Sequence, residues 1–288
     1  MPVTVAATNN KEDDVAGSVV QQQVRAITDE EVSAFVRDGW VFLPGLVDRE
    51  LVADILAASK SLMGESGVEG SPRPGVDMLN YWHDRHFMAR EGIEPFRSLS
   101  YSPQMGRAVQ RFNERDVAVR HWADMIAVKP PAGTTSRSGV TPLHQDYASR
   151  HFDRVGNVTF WIALEAMPAE RGTCRFRTGS HRLGPLGRNF RGSSAETGLD
   201  IHDAYPWLAE RCPLSEPRDM QPGDATAHGP LVLHTAPANL TGVPRWAYIS
   251  IYIPADTLWT GTSFLGQGDI KLEVDQPFDH PNFPIVYA

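Results

Sequence analysis

From Val117 onward, short apolar runs alternate with turns rich in proline and glycine. Many short strands at such spacing are typical of an antiparallel barrel or a two-sheet jelly roll. The 24 glycines and 22 prolines among 288 residues also suit a loop-rich β protein. We therefore expect a mainly β fold with flanking α-helices. The predicted strands cover residues 123–128, 140–143, 158–164, 173–177, 224–227, 231–234 and 246–253.

The first 116 residues have a different pattern. Residues 1–25 are small and polar without periodicity, which predicts a disordered tail. Thr28 with Glu31 three positions later forms a capping-box pattern and predicts a helix start. A short buried strand is expected at 40–43, and an apolar stripe predicts a second helix over roughly 49–63. We expect one domain over 26–288, comprising a helical N-terminal wrap (26–116), a jelly-roll core (117–255) and a C-terminal extension (256–288).

Composition and charge argue against several functions. With 27 Lys and Arg against 35 Asp and Glu, the net charge is −8 and no cation cluster is present, so nucleic-acid binding is not expected. No apolar run approaches the roughly 18 residues that a membrane-spanning helix needs. Residues 1–24 lack a signal-peptide layout, and two cysteines do not make a disulfide framework. We expect a cytoplasmic monomer or homodimer that acts on a small-molecule substrate.

Three residues suggest a metal site. His144 and Asp146 stand two apart at the end of a predicted strand, so their side chains should point to the same side. A third ligand must come from another strand, and His234 ends the predicted strand 231–234. Two histidines and one carboxylate leave three metal positions open, as Fe(II) oxygenases require for a 2-oxo acid and oxygen. A His-x-Asp tripeptide in an ordinary turn is the competing interpretation.

Arg245 follows His234 by eleven residues and precedes the predicted strand 246–253. The far carboxylate of 2-oxoglutarate needs a cation, and the planar guanidinium can bind a carboxylate through two hydrogen bonds. The alternative is an exposed arginine that follows the turn at 241–244.

These residues belong to a longer series that resembles the phytanoyl-CoA dioxygenase (PhyH) family of Fe(II)- and 2-oxoglutarate-dependent oxygenases. The similarity extends over roughly residues 28–255, and both the order and the spacing of the segments agree with the family. The matching segments are residues 27–46, 127–131, 142–146, 157–164, 171–174, 178–181 and 222–224, followed by His234, Asn239 and Arg245.

The resemblance implies a double-stranded β-helix (a cupin-like jelly roll) and three cofactors or co-substrates, which are Fe(II), 2-oxoglutarate and O2. It implies His144, Asp146 and His234 as the iron ligands and Arg245 as the 2-oxoglutarate anchor. It further implies co-substrate contacts for Trp161, Gln145 and Thr235.

The expected reaction is oxidation, above all hydroxylation, of a C–H bond in a small organic metabolite, with release of succinate and CO2. A natural-product intermediate is favoured because aromatic residues surround the predicted site and no basic patch for CoA phosphates stands out. The alternatives are an acyl-CoA hydroxylase of the same family and a metal-dependent hydrolase or isomerase on a cupin-like barrel.

Residues near the predicted mouth of the site are candidates for substrate contact. Ordinary packing on a partly exposed helix is the alternative for the segment before the barrel. A long loop at 183–215 is either a lid or a surface excursion. The substrate candidates are Tyr81, Trp82, His83, Tyr147 and His151.

Two further residues have two interpretations each. His228 lies six residues before His234, so the two can share a face; packing is expected for His228, and support of a metal ligand or contact with the substrate is the alternative. Lys129 precedes two prolines and is expected to be solvated, with 2-oxoglutarate or CoA binding as the alternative.

Overall fold

A computed structural model of the chain describes residues 23–69, 82–134, 139–149, 151–186 and 201–288. Its helices are α1 (Asp29–Asp38), α2 (Arg49–Met63), α3 (Phe96–Ser100), α4 (Pro103–Asn113), α5 (Ile201–Ala204) and α6 (Leu208–Arg211). Its strands are β1 (Trp40–Leu43), β2 (His83–His86), β3 (Val119–Lys129), β4 (Thr141–His144), β5 (Val158–Ala163), β6 (Arg175–Phe176), β7 (Ala225–His228), β8 (His234–Ala236), β9 (Arg245–Pro254) and β10 (Ile285–Tyr287).

Two antiparallel sheets form the core. In the described part of the chain, the larger sheet has the order β1-β7-β5-β9-β3, and β2 and β10 both pair with β3 at its outer edge. The smaller sheet has the order β4-β8-β6. The fold is therefore mainly β with few helices, a jelly roll of the cupin type, as the sequence predicted.

The larger sheet buries both of its faces. On one face, Ile126, Phe160 and Tyr248 pack with residues of the N-terminal helices, such as Phe112 of α4. On the other face, small and aliphatic residues such as Ala247 turn inward. Strands that are covered on both sides read as nearly continuous apolar runs, which explains why β9 is buried along its whole length.

The N-terminal elements largely follow the sequence. The capping box forms, because Thr28 Oγ1 accepts a hydrogen bond from the Glu31 amide while the Glu31 carboxylate accepts one from the Thr28 amide. The predicted strand 40–43 and helix 49–63 are confirmed. Val24 is buried and pairs with Val47, so the folded chain includes residues assigned to the tail. Residues 1–22 of that predicted tail lie outside the described residues.

Three strands differ from prediction. His83–His86 was expected in a helical wrap, yet it forms β2, because pairing with β3 supplies hydrogen bonds that the local sequence does not signal. The predicted strand 231–234 is shifted, since His234 begins β8 and does not end a strand. The C-terminal extension contributes β10, so strands of the larger sheet come from outside 117–255.

The long loop at 183–215 contains α5 and α6, whose buried Ile201 and Leu208 pack with Leu233, and its residues 187–200 lie outside the described part. Within the described residues, no helix has the length and apolar character to cross a bilayer.

Candidate active site

A cavity of about 180 Å³ lies between the two sheets. The inward face of the larger sheet supplies Trp161, Ile249 and Ile251, and the smaller sheet supplies His144 and His234. Both sheets therefore contribute side chains to one site, as expected for a ligand pocket at the mouth of a β-barrel.

His144, Asp146 and His234 come together in this cavity and form a candidate metal centre. One ligand atom from each lies within 4.8 Å of the other two. Asp146 Oδ1 is 3.8 Å from His144 Nε2 and 3.9 Å from His234 Nε2. His144 ends β4 and pairs with His234 at the start of β8. Asp146 has already left the strand and begins a 3-10 helix, so a turn, and not strand alternation alone, directs its carboxylate inward.

The backbone orients both imidazoles for metal binding. His144 Nδ1 lies 2.7 Å from the Pro142 carbonyl, and His234 Nδ1 lies 3.1 Å from the Val232 carbonyl. A carbonyl can only accept, so each Nδ1 carries the proton and each Nε2 keeps its lone pair for a metal ion. Burial first, then the neighbouring His144, holds the pKa of His234 well below its usual value. The donor set of two neutral imidazoles and one carboxylate fits Fe(II).

Arg245 lines the same cavity and is buried. Nη1 donates to the Gly172 carbonyl at 2.6 Å, and the guanidinium lies 5.0 Å from the centre of the Trp161 ring. No carboxylate of the described residues lies within ion-pair distance of it. Burial lowers the pKa of Arg245 to about 10, so the group is still a cation at neutral pH. A buried cation without an anion is costly, which makes this position suited to an anionic ligand.

Lys129 is fully buried, in contrast to the expected solvated lysine. Nζ lies within hydrogen-bond distance of four oxygens, which share its hydrogens: Thr141 Oγ1 at 3.1 Å and three backbone carbonyls at 2.5, 2.9 and 2.8 Å. Burial, and then the charge of Arg245, lower the pKa of Lys129 to about 6. Lys129 thus ties β3 to the start of β4 and the adjacent end of β8, beside Arg245, and its Nζ is committed to protein oxygens. The carbonyls belong to Gly139, Ala236 and Pro237.

The three softer co-substrate candidates separate in the structure. Trp161 and Thr235 line the cavity, and the Thr235 hydroxyl donates to the Thr141 carbonyl at 2.6 Å. Gln145 is not among the lining residues, which corrects the expected contact with 2-oxoglutarate. It lies between two residues that face inward, so its side chain turns away and bonds backbone groups of residues 184, 186 and 231.

The substrate candidates at the start of β2 and just before it also separate, in the pattern that strand alternation produces. Trp82, Asp84 and His86 line the cavity, and we call these three residues the edge wall. Within it, His86 Nε2 lies 3.0 Å from Asp84 Oδ2. His83 is not among the lining residues, which corrects its prediction, because adjacent residues of a strand face opposite sides. Tyr81 lies outside the described residues.

Of the two candidates after Asp146, His151 lines the cavity and Tyr147 does not. The Tyr147 amide donates to the Pro230 carbonyl at 2.9 Å, which shows that the 3-10 turn is held against the chain before β8. Contact of Tyr147 with the substrate stays a prediction. Sequence reasoning had no signal for several other lining residues, because they are spread over distant strands and loops. They include Trp122, Met125, Ile249 and Leu265.

Comparison with known families identifies the class. The phytanoyl-CoA dioxygenase (PhyH) family matches residues 35–247, more than half of the chain. The chain belongs to the PhyH family, and it is a non-haem oxygenase that depends on Fe(II) and 2-oxoglutarate. The family predicted from the sequence is thereby confirmed. No curated protein is similar enough in sequence to count as a relative.

Solved structures of similar fold include three enzymes. The epimerase SnoN in complex with Fe3+, alpha ketoglutarate and nogalamycin RO has a TM-score of 0.72 and 24% identity, covering 89% of this chain and 97% of its own. The carbocyclase SnoK from nogalamycin biosynthesis has a TM-score of 0.71 and 23% identity, covering 90% and 96%. EctD from S. alaskensis with 2-oxoglutarate and 5-hydroxyectoine has a TM-score of 0.62 and 15% identity, covering 86% and 83%. At these identities the likeness concerns the fold.

Proposed function

We propose that this enzyme hydroxylates a C–H bond of a small natural-product intermediate and converts 2-oxoglutarate to succinate and CO2. One observation supports the proposal: one cavity is surrounded by three clustered metal-binding side chains, a largely apolar wall and a buried arginine that has no carboxylate partner among the described residues. In this reaction one atom of O2 enters the product and the other enters succinate.

His144, Asp146 and His234 would hold the metal ion through two Nε2 atoms and one carboxylate oxygen. Bound iron supplies the chemistry of oxygen activation at a two-histidine, one-carboxylate site. The chain itself fixes the imidazole tautomers through the Pro142 and Val232 carbonyls, as described above.

Arg245 would bind the far carboxylate of 2-oxoglutarate. Its Nη1 is occupied by Gly172, and the rest of the guanidinium is available to an anion in the cavity. Trp161 lies beneath the guanidinium and Thr235 lies beside the metal centre, so both would pack against the co-substrate. Lys129 would act indirectly, by holding the strand ends that shape this part of the cavity.

The remaining lining favours a substrate that is compact and largely apolar. Trp122, Met125, Ile249 and Leu265 supply apolar surface, while the edge wall supplies one polar pair. Among the described residues that line the cavity, Arg245 is the only cation, which disfavours an acyl-CoA because its phosphates need positive charge. SnoN and SnoK, which share the fold, belong to nogalamycin biosynthesis. The cytoplasmic location and the monomeric or dimeric state stay predictions.

Two measurements test the proposal. An anaerobic titration of the Fe(II) protein with 2-oxoglutarate should produce a visible charge-transfer band, and its absence would count against the metal and co-substrate sites. Turnover under 18O2 with candidate metabolites should then give a product heavier by one labelled oxygen. Loss of two hydrogens would indicate ring closure or desaturation, and an unchanged mass would indicate epimerisation, and either result would contradict hydroxylation.

A further inference from the structure

The two carboxylate oxygens of Asp146 have different surroundings. Oδ1 faces the two imidazoles of the candidate metal centre, at 3.8 and 3.9 Å from their Nε2 atoms. Oδ2 accepts a hydrogen bond from the Thr159 hydroxyl at 3.2 Å and lies 3.6 Å from His228 Nε2. One oxygen is thus presented to a metal ion, and the other is presented to two side chains of the larger sheet.

The sheet register explains why Thr159 and His228 reach the same oxygen. They are directly opposite each other on β5 and β7, so their side chains leave the same face of the sheet side by side. Both residues line the cavity. The register of two neighbouring strands in the larger sheet therefore sets the point where the two side chains meet.

His228 is buried, and its ring is held by two others. Its centre lies 4.4 Å from the His234 ring and 5.4 Å from the Phe176 ring. Neither of its ring nitrogens has a hydrogen-bond partner in the described part of the chain. A buried polar group without a partner is costly, so the short gap to Asp146 Oδ2 calls for an explanation.

We propose that His228 and Thr159 are positioning residues that keep Asp146 monodentate toward iron. A movement of about 0.5 Å would bring His228 Nε2–H into hydrogen-bond range of Oδ2, alongside the Thr159 hydroxyl. With Oδ2 engaged twice, Asp146 offers only Oδ1 to the metal, and the positions that 2-oxoglutarate and oxygen need stay open. This inference rests on the proposed metal centre.

Two other roles for His228 make different predictions. As a fourth ligand, its Nε2 would have to lie among the clustered ligand atoms, but the cluster contains only the other three residues and His228 lies on the Oδ2 side. If His228 were only a packing residue, metal binding would depend on its ring and not on its N–H group.

Four variants separate these roles, with the Co(II) dissociation constant and the Co(II) visible spectrum as readouts. His228→Phe keeps a ring but removes the donor, and His228→Gln keeps a donor but removes the ring. Thr159→Val removes the hydroxyl, and Thr159→Ser restores it. Loss of a group that supports a ligand typically weakens metal binding by about 10–100-fold. We expect that loss for His228→Phe and Thr159→Val, together with a Co(II) spectrum that indicates a higher coordination number. For His228→Gln and Thr159→Ser we expect near wild-type Co(II) binding.

Circular dichroism of the metal-free variants separates misfolding from weak binding, and the Thr159 pair tests the inference even if His228→Phe does not fold. Wild-type Co(II) affinity in both His228→Phe and Thr159→Val would overturn this inference and leave the proposed metal centre intact. Equal loss in His228→Phe and His228→Gln, with one coordinated imidazole fewer by pulsed EPR of the Cu(II) form, would make His228 a ligand and overturn it as well. No Co(II) binding by the wild-type protein would instead overturn the proposed metal centre.

Discussion

The metal centre and the edge wall face one cavity, but they are held in place differently. The metal centre lies between the two sheets, and each imidazole is fixed by a carbonyl two residues earlier in its own chain segment. In the edge wall, Asp84 and His86 lie on β2 and Trp82 directly precedes it; β2 pairs with β3 at the border of the larger sheet. Short-range backbone geometry orients the imidazoles of the metal centre, whereas pairing between strands that are distant in sequence places the edge wall.

A buried carboxyl connects the edge wall to the core. After β2, the Phe87 amide donates to the Asp124 carbonyl at 2.9 Å, and the Ala89 amide donates to Asp124 Oδ2 at 3.3 Å. Asp124 of β3 thus holds the chain segment that follows the edge wall, through its backbone carbonyl and its carboxylate. We therefore expect a division of function: the metal centre carries out the chemistry, and the edge wall selects the substrate.

The largest effect is expected for Asp146→Ala. Loss of the carboxylate ligand removes several kcal/mol of transition-state stabilisation by the metal, so turnover should fall by on the order of 1000-fold. The control is Asp84→Ala in the edge wall, which should keep Fe(II) binding and the 2-oxoglutarate charge-transfer band. Equal loss of Fe(II) affinity in both variants would contradict the division.

Arg245→Met should come next. Removing a buried charge partner costs roughly 2–5 kcal/mol, so the affinity for 2-oxoglutarate should fall by about two orders of magnitude. The unfolding temperature without 2-oxoglutarate should not fall, because an uncompensated buried cation is removed.

The matched control is Arg171→Met. Arg171 is also buried, but it pairs with Glu165 at 3.1 Å and donates to the Pro244 carbonyl. This variant should lose stability and keep its 2-oxoglutarate affinity. A loss of 2-oxoglutarate affinity in Arg171→Met as large as that in Arg245→Met would mean that the effect is structural.

His86→Ala should have a moderate effect that His83→Ala lacks. The two residues share β2, but only His86 lines the cavity. A substrate contact of 1–3 kcal/mol predicts an increase in the KM for substrate of about tenfold or more. Slow 2-oxoglutarate turnover without substrate should stay unchanged in both variants. Indistinguishable KM values for the pair would remove β2 from substrate recognition.

The smallest effect concerns Asp124 and pH. Burial raises the pKa of Asp124 to about 6, above its ordinary value of 3.8. The protonated carboxyl is therefore favoured in the fold, and its stabilising contribution is present below about pH 4 and is lost as the pH rises through 6. Relative to Asp124→Asn, the free energy of unfolding of the wild-type protein should fall by roughly 2 kcal/mol between pH 4 and 7.5. Urea denaturation at both pH values measures this, and parallel profiles would contradict it.

Local signals predicted the elements that local interactions stabilise. The capping box at Thr28 and the apolar stripe of α2 act within a few residues, and both helices form as expected. Strand β2 was missed because its four residues are polar or charged, and no residue of it is fully buried. It exists through its pairing with β3, which is distant in sequence.

The same distinction applies to the site. Period-two alternation correctly grouped His144 with Asp146, although Asp146 lies in a turn. For Gln145, the same alternation should have argued against a cavity contact, and the resemblance outweighed it. Lys129 was misjudged because burial depends on β4 and β8, whose oxygens surround Nζ, and no local pattern reports them.

By itself, the sequence determined the class of fold and the family, and it singled out His144, Asp146, His234 and Arg245 as candidates, because each lies in a short motif at a strand end or beside a turn. Only the tertiary structure decided what surrounds them. It placed His228 and Thr159 against the second oxygen of Asp146, and it brought the edge wall into the cavity. Those contacts join strands that are far apart along the chain. They depend on strand register, and the spacing of residues within a motif does not encode register.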